Sequence, residues 1–309
     1  MAQFRLLCSI AAILGYTYAS PIEKRRNFFK LHAEIPEELQ QMRLRNPDRV
    51  EEITKYGMPQ RDVVLKFKDF ELSYDNRTRV ANYVVEHLDC KRHKFHYIPP
   101  PIMEDNDSFS RDHRVQYASI PFDYFQSGFV KCHLAEKRNH SDSMDYLKGT
   151  YASTNIAPQN SELNCRGWSD LEFYARRMLW HYNDIYIFTG PLYCSKQNQM
   201  KYQVIGMNNV AVPTHFFKVI VGVLDCSLDL IVGCYIMPNE PIPDHVPLGY
   251  YRASWSDVQE KSGLTFLTGS DRPYNEDLPD IVEFRDTKRF FECFVQQPAT
   301  KGPGWKLKE

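Results

Sequence analysis

Four polar side chains between residues 133 and 172 have the types and spacing for phosphodiester chemistry. His133 stands in Lys131-Cys132-His133-Leu134-Ala135, and Asn155 in Ser153-Thr154-Asn155-Ile156-Ala157-Pro158-Gln159. Asn164 follows in Glu162-Leu163-Asn164, and Glu172 comes eight residues after it in Leu171-Glu172. A histidine can take a proton from water near neutral pH. A hard cation such as Mg²⁺ polarises a phosphate and stabilises the leaving oxygen. Such an ion keeps several of its waters, so one asparagine with a carboxylate behind it is enough to hold it. Eight residues are a little over two helical turns, so Asn164 and Glu172 can look toward one side. Each residue also has a plainer reading. A histidine before apolar Leu134-Ala135 is most often structural, an asparagine near a helix start is most often a cap, and a glutamate in mid-helix is usually just solvated. Taken alone, each residue favours the plainer reading.

These side chains need a frame. Val63 to Tyr74 alternates in the manner of a strand pair, and Arg79 to Leu88 continues in β-branched style. Lys91 to Arg114 is polar and proline-rich and reads as a long loop. Trp168, Leu171, Ala175, Met178, Leu179 and Tyr182 recur at helical spacing, which predicts a helix from about Cys165 to Tyr182. Strand-like runs follow at Ile185 to Thr189, Tyr202 to Met207, Val210 to Leu224 and Leu228 to Met237. Gly190-Pro191 and Pro238-Asn239 are expected to end two of them. A last helix fits Ser256 to Ser262, with Ser256 and Gln259 as a capping box and Gly263 as its stop. Strands, loop, helix, strands, helix is the order of an α+β fold with a central antiparallel sheet flanked by helices.

Hydrophobic residues make up 43% of the 309, ample for a core, and the formal net charge is −1. That balance excludes a histone-like coat of positive charge but leaves room for a local basic groove. No two of the eight cysteines form a C-x-x-C pair, which argues against a structural zinc site. Residues 1–20 hold an apolar run, Leu6 to Ala19, too short for a comfortable transmembrane helix. It reads as a secretory signal, or as an organelle-targeting segment with a weak membrane anchor. Residues 21–55 read as a charged linker with a short helix from Pro36 to Arg43, 56–270 as the globular domain, and 271–309 as a polar tail. Three Asn-x-Ser/Thr tripeptides, at Asn76, Asn106 and Asn139, matter only if the chain is secreted.

Longer stretches carry a resemblance. Ser127-Gly128-Phe129-Val130-Lys131-Cys132-His133-Leu134-Ala135 looks like the stretch of the endonuclease G family that bears an Asp-Arg-Gly-His signature. Asn155 to Gln159, Thr189-Gly190-Pro191-Leu192, Tyr202 to Gly206, Val210 to Lys218, Met237-Pro238-Asn239 and Ser262-Gly263-Leu264 resemble further stretches of that family in the same order. The likeness spans roughly Lys55 to Phe266 and is weakest between Lys91 and Tyr124. It implies a ββα-metal nuclease fold and a sugar-non-specific endonuclease that hydrolyses DNA and RNA. It implies that His133 is the general base, Asn164 the metal ligand, Glu172 the holder of a metal-bound water, and Asn155 a support for histidine and phosphate. Mg²⁺ is the implied cofactor, with Mn²⁺ as an alternative. The family also implies a homodimer in mitochondria (intermembrane space or inner membrane), with nuclear entry on release. The alternative location is secreted. Lys131, Arg166 and Arg176 are the cations expected to track phosphates.

The signature departs from the family. Val130, Lys131 and Cys132 stand where the family has Asp, Arg and Gly. The aspartate's carboxylate is gone. Lysine keeps the charge but not the planar fork of arginine. Cys132 costs geometry if the position needs a left-handed backbone. Phe125 stands where a polar or basic residue is expected. A misplacement of about 1 Å costs on the order of a hundredfold in rate, so a second reading stands beside the nuclease: an impaired pseudo-nuclease that binds nucleic acid or a partner. Cys132 precedes His133 and Cys165 follows Asn164, which admits two thiols near the site, although the plainer reading is two packing cysteines.

Overall fold

The computed structural model describes residues 59–89, 92, 109–194, 199–224, 229–243, 246–276 and 278. The leader, the linker with its short helix, most of the 91–114 loop and the tail beyond 278 lie outside them. The chain divides into compact units at Gln60/Arg61, and the fold below is that of the second.

Its centre is a sheet ordered β1 (Asp62–Lys66), β2 (Phe70–Asp75), β3 (Val80–Asp89), β6 (Asp184–Leu192), β9 (His215–Val223), β10 (Leu230–Pro238) and β11 (Arg252–Ala253), every neighbouring pair antiparallel. β12 (Tyr274–Asn275) pairs with β10 in parallel, so the start of the polar tail joins the sheet. β9 is buried along its length between its end residues because both faces of the sheet are covered, which is why it reads as one apolar run. Phe216 and Ile220 face one way, packed with Trp168, Leu171, Tyr174 and Ala175. Phe217, Val219 and Val221 face the other way, packed with Trp255, Val258 and Phe266. A helix therefore covers each face.

Three local expectations change. Gly190-Pro191 does not end β6, which continues to Leu192. Pairing with β3 stops at Thr189 while pairing with β9 carries on through Pro191, so proline's missing N–H lies beyond the last β3 partner. The apolar run from Val210 breaks into β8 (Val210–Ala211), which pairs with β7 (Val204–Ile205), and the long β9. The last helix, Trp255–Ser262, is capped by Ser254, not Ser256: the Ser254 hydroxyl accepts from the Asp257 amide. Gly263 ends it in the left-handed conformation at φ 70°, as its place in the sequence suggests.

Gly190 is required by a close approach. A Cβ there would stand 2.4 Å from the Asn82 carbonyl oxygen and 2.6 Å from the Phe217 ring. Gly190→Ala is expected to destabilise the fold by about 1–3 kcal/mol or more, read as a lower urea midpoint at unchanged slope.

Candidate active site

The site is a hairpin followed by a helix. β4 (Val130–His133) pairs antiparallel with β5 (Ile156–Gln159), Cys132 facing Ala157 and His133 facing Ile156. Asn160 then caps the next helix, its side-chain oxygen accepting from the amides of Glu162 and Leu163. Between the hairpin strands lies α1 (Met144–Thr150). After them come α2 (Ser161–Leu163), a π-helical stretch (Asn164–Trp168) and α3 (Ser169–Arg177). In a regular α-helix, residues eight apart diverge by about 80°. A π stretch bonds i→i+5 and takes up about one extra residue, which turns Asn164 and Glu172 back toward a common face. Both line the same cavity.

That cavity, about 780 Å³, is also lined by His133, Lys131, Tyr151 and Arg138. The His133 ring meets Tyr151 edge-on with centroids 4.9 Å apart. Asn164 donates its side-chain N–H to the Gln159 side-chain oxygen at 2.7 Å, which leaves the Asn164 oxygen free of this bond. Burial pushes the Glu172 carboxyl up to about 7, against the opposing pull of Lys218.

The sequence-predicted residues divide into two groups. His133, Asn164, Glu172 and Lys131 meet in the cavity. Asn155 lies behind it, fully buried, with its side chain spent on backbone. Its oxygen accepts from the Ala135 amide at 2.8 Å, and its nitrogen donates to the carbonyls of Ala135 and Thr150 at 3.1 and 2.9 Å. It clamps the chain two residues beyond His133. Arg166 is exposed and stands 4.0 Å from Glu162. Arg176 is ion-paired with Glu136 and donates to the Asn139 side-chain oxygen. Neither arginine lines the cavity, whereas Lys137 and Arg138 do.

Cys132 is in regular strand backbone, not among the positive-φ residues, so a side chain at this position costs no left-handed strain. It is buried, and burial beside Glu172 pushes its thiol well above the usual range. Of the two flanking cysteines only Cys165 lines the cavity. Iodoacetamide is therefore expected to label Cys165 in the folded chain and to reach Cys132 only after denaturation. Mass mapping that finds Cys132 alkylated in the native protein would contradict this burial.

Sequence reading gave no role to Lys218. It is 1% exposed, donates to the Thr189 hydroxyl at 2.7 Å and holds its ammonium 4.8 Å from the Trp168 ring centroid. Burial pulls its pKa down, and Glu172 and Glu86 oppose that. The signal was present: a single lysine within the apolar run from Phe216 to Val221 must be buried and must find partners.

A histidine and a lysine on one strand, with an asparagine and a carboxylate on the helix after the hairpin, face one cavity. The description of the DNA/RNA non-specific endonucleases matches residues 49–272. The chain belongs to this family of DNA/RNA non-specific endonucleases. Mitochondrial endonuclease G of Homo sapiens is 36% identical over 70% of this chain and 73% of its own length. Mitochondrial endonuclease G of Caenorhabditis elegans is 37% identical over 73% of this chain and 74% of its own. A crystal structure of the EndoG/EndoGI complex superposes with a TM-score of 0.62 at 35% identity, covering 72% of this chain and 92% of that one. The α+β fold with its central antiparallel sheet is thus that of an endonuclease G relative, a family of metal-dependent nucleases. Among the described residues no group of three or more His, Cys, Asp or Glu side chains is placed to hold a metal, and no helix is long and apolar enough to cross a membrane.

Proposed function

We propose that the chain is a metal-dependent endonuclease that hydrolyses phosphodiester bonds of DNA and RNA without regard to the sugar. The observation that carries this reading is the convergence of His133, Asn164 and Glu172 on one cavity with Lys131 and Arg138 at its wall. The side chains present fit a hard cation that keeps most of its waters: a single amide oriented by Gln159, and a recessed carboxylate in the same cavity. Asn164 would hold the ion, Mg²⁺ or Mn²⁺, and Glu172 one of its waters. When bound, the ion supplies charge to the scissile phosphate and the leaving oxygen.

His133 takes the proton from the attacking water. Tyr151 limits the tilt of the imidazole by its edge-on contact, and Asn155 fixes the strand end that carries it. Lys131 and Arg138 draw the phosphate chain toward the cavity. The chain acts in mitochondria as a homodimer, as the family resemblance implies, with nucleic acid as substrate.

A plasmid-nicking and RNA-degradation assay with Mg²⁺ or Mn²⁺ against EDTA tests the reading. Cutting is expected with metal and not with EDTA. Asn164→Ala is expected to lower it on the order of a hundredfold, and Asn164→Asp, which keeps an oxygen donor, to retain more. A folded protein that binds DNA but cuts neither substrate would instead be a pseudo-nuclease.

A further inference from the structure

We propose that Phe122 and Phe125 form a stacking platform for unpaired nucleobases at the mouth of the cavity, which makes single-stranded nucleic acid the preferred ligand. The proposal rests on the nuclease reading and specifies its substrate class. The two rings are 61% and 65% exposed and adjoin each other, so they form one apolar patch at the surface. They stack on each other with centroids 5.8 Å apart and planes 13° from parallel. Phe125 lines the cavity that holds His133 and Asn164, so a base resting on it would place its phosphate near those side chains.

The turn that displays the rings is firmly anchored. Pro121–Tyr124 is a 3-10 turn begun by a proline, and the two residues between the rings point inward. Asp123 is 1% exposed, and its carboxylate accepts from the Ile120 amide at 2.9 Å and from both the amide and the side chain of Asn208. Gly206 makes room for it: a Cβ there would lie 2.3 Å from the Asp123 carboxylate. Tyr124 is buried edge-on against Phe109 with centroids 5.5 Å apart. With Asp123 and Tyr124 held in the core, Phe122 and Phe125 are presented to solvent as a preset pair of near-parallel rings, and ordering them on binding costs little.

The chemistry selects the ligand. A duplex hides the faces of its bases in its own stack, whereas a single strand can offer each base face to an aromatic ring. Lys131 and Arg138 in the same cavity supply the backbone attraction that such a strand also needs.

The test is fluorescence anisotropy on the full chain in EDTA, so that nothing is cut. Three labelled oligonucleotides are compared: oligothymidylate, an abasic strand with the same number of phosphates, and a duplex. Oligothymidylate is expected to bind at least about fivefold more tightly than the abasic strand. Phe125→Ala and Phe122→Ala are expected to remove most of that margin while leaving abasic binding unchanged, and Phe125→Trp to keep it. Equal binding of oligothymidylate and the abasic strand, or a margin that survives both alanine variants, overturns the platform. Failure to bind any of the three overturns the nuclease reading, and the platform with it. Because no cleavage is read, a chain that binds but does not cut still answers the question.

Discussion

His133→Ala is expected to lower metal-dependent cleavage by about 10²–10⁴-fold while leaving DNA binding in EDTA within a factor of a few. His133 lines the cavity from the last position of β4, and the two features that hold it lie elsewhere: the Tyr151 ring and the Asn155 clamp on Ala135. Removing the imidazole therefore takes away the proposed proton acceptor and leaves the strand in place. Single-turnover cleavage of a supercoiled plasmid, with circular dichroism as the folding control, reads the effect. A variant that cuts at the wild-type rate would move the base to another group in the cavity. Asn155→Ala gives the contrast. It strips the Ala135 amide and two carbonyls of their buried partner, so it should lower stability as well as rate, which His133→Ala should not.

The second large effect is on stability. His140 is fully buried, with Nδ1 2.6 Å from Asp69 and Nε2 3.0 Å from Glu86. Glu86 also accepts from the Glu136 amide and the Asn139 side chain, and Arg92 joins Asp69 to Asp142. Burial alone would lower the His140 pKa. The hydrogen bonds that the imidazole donates to Asp69 and Glu86, with the charge of both carboxylates, outweigh it and raise it to about 9. For Asp69, burial alone would raise the pKa, but His140 and Arg92 bring it down to about 2. His140 is therefore a cation in the folded state at neutral pH. A folded pKa above the unfolded one gives stability that is fully present below about 6.5 and is lost as pH rises through about 9. Asp69 has the opposite sign: its share is present above about 4 and is lost as pH falls through about 2.

His140→Ala leaves the buried Glu86 carboxylate without its cation, opposite an Asp69 that keeps only Arg92, and is expected to cost about 3–5 kcal/mol at pH 6. Urea unfolding of wild type and variant from pH 5 to 9.5 should show the gap narrowing above pH 7. A gap that stays constant or widens with pH would show that His140 is neutral in the fold. The network also reaches the site. It fixes the 3-10 turn Lys137–His140, and with it Glu136, Lys137 and Arg138 on the cavity wall, so a loosened turn should also weaken phosphate binding.

Alternation and helical spacing were enough to find β1, β2, β3, β6 and β10, because each is a long amphipathic or fully buried run. They were not enough for β4 and β5, four residues each, which are strands because they pair with each other, His133 ending the first. The helix predicted from Cys165 to Tyr182 is there as the α-helix Ser169–Arg177 and a 3-10 turn that stops at Trp180, but its start at Ser161 and the π stretch at Asn164–Trp168 leave no mark in hydrophobic period.

The sequence by itself determined the sheet-and-helix order, the apolar faces and the family, since ordered stretches from Asn155 to Leu264 survive where the four-residue signature does not. It also named His133, Asn164 and Glu172. Only the tertiary structure decided what each side chain faces. It turned Asn155 to backbone, tied Arg176 to Glu136, sank Cys132 beside Glu172 and placed Lys218 in the core. It also raised Phe122 and Phe125 into solvent. The reason is physical. Hydrophobic period is a property of neighbours along the chain and can be read from it. The partner of a buried amide or charge comes from a distant segment, as Glu86 does for His140 and Thr189 for Lys218, and only folding brings the two together.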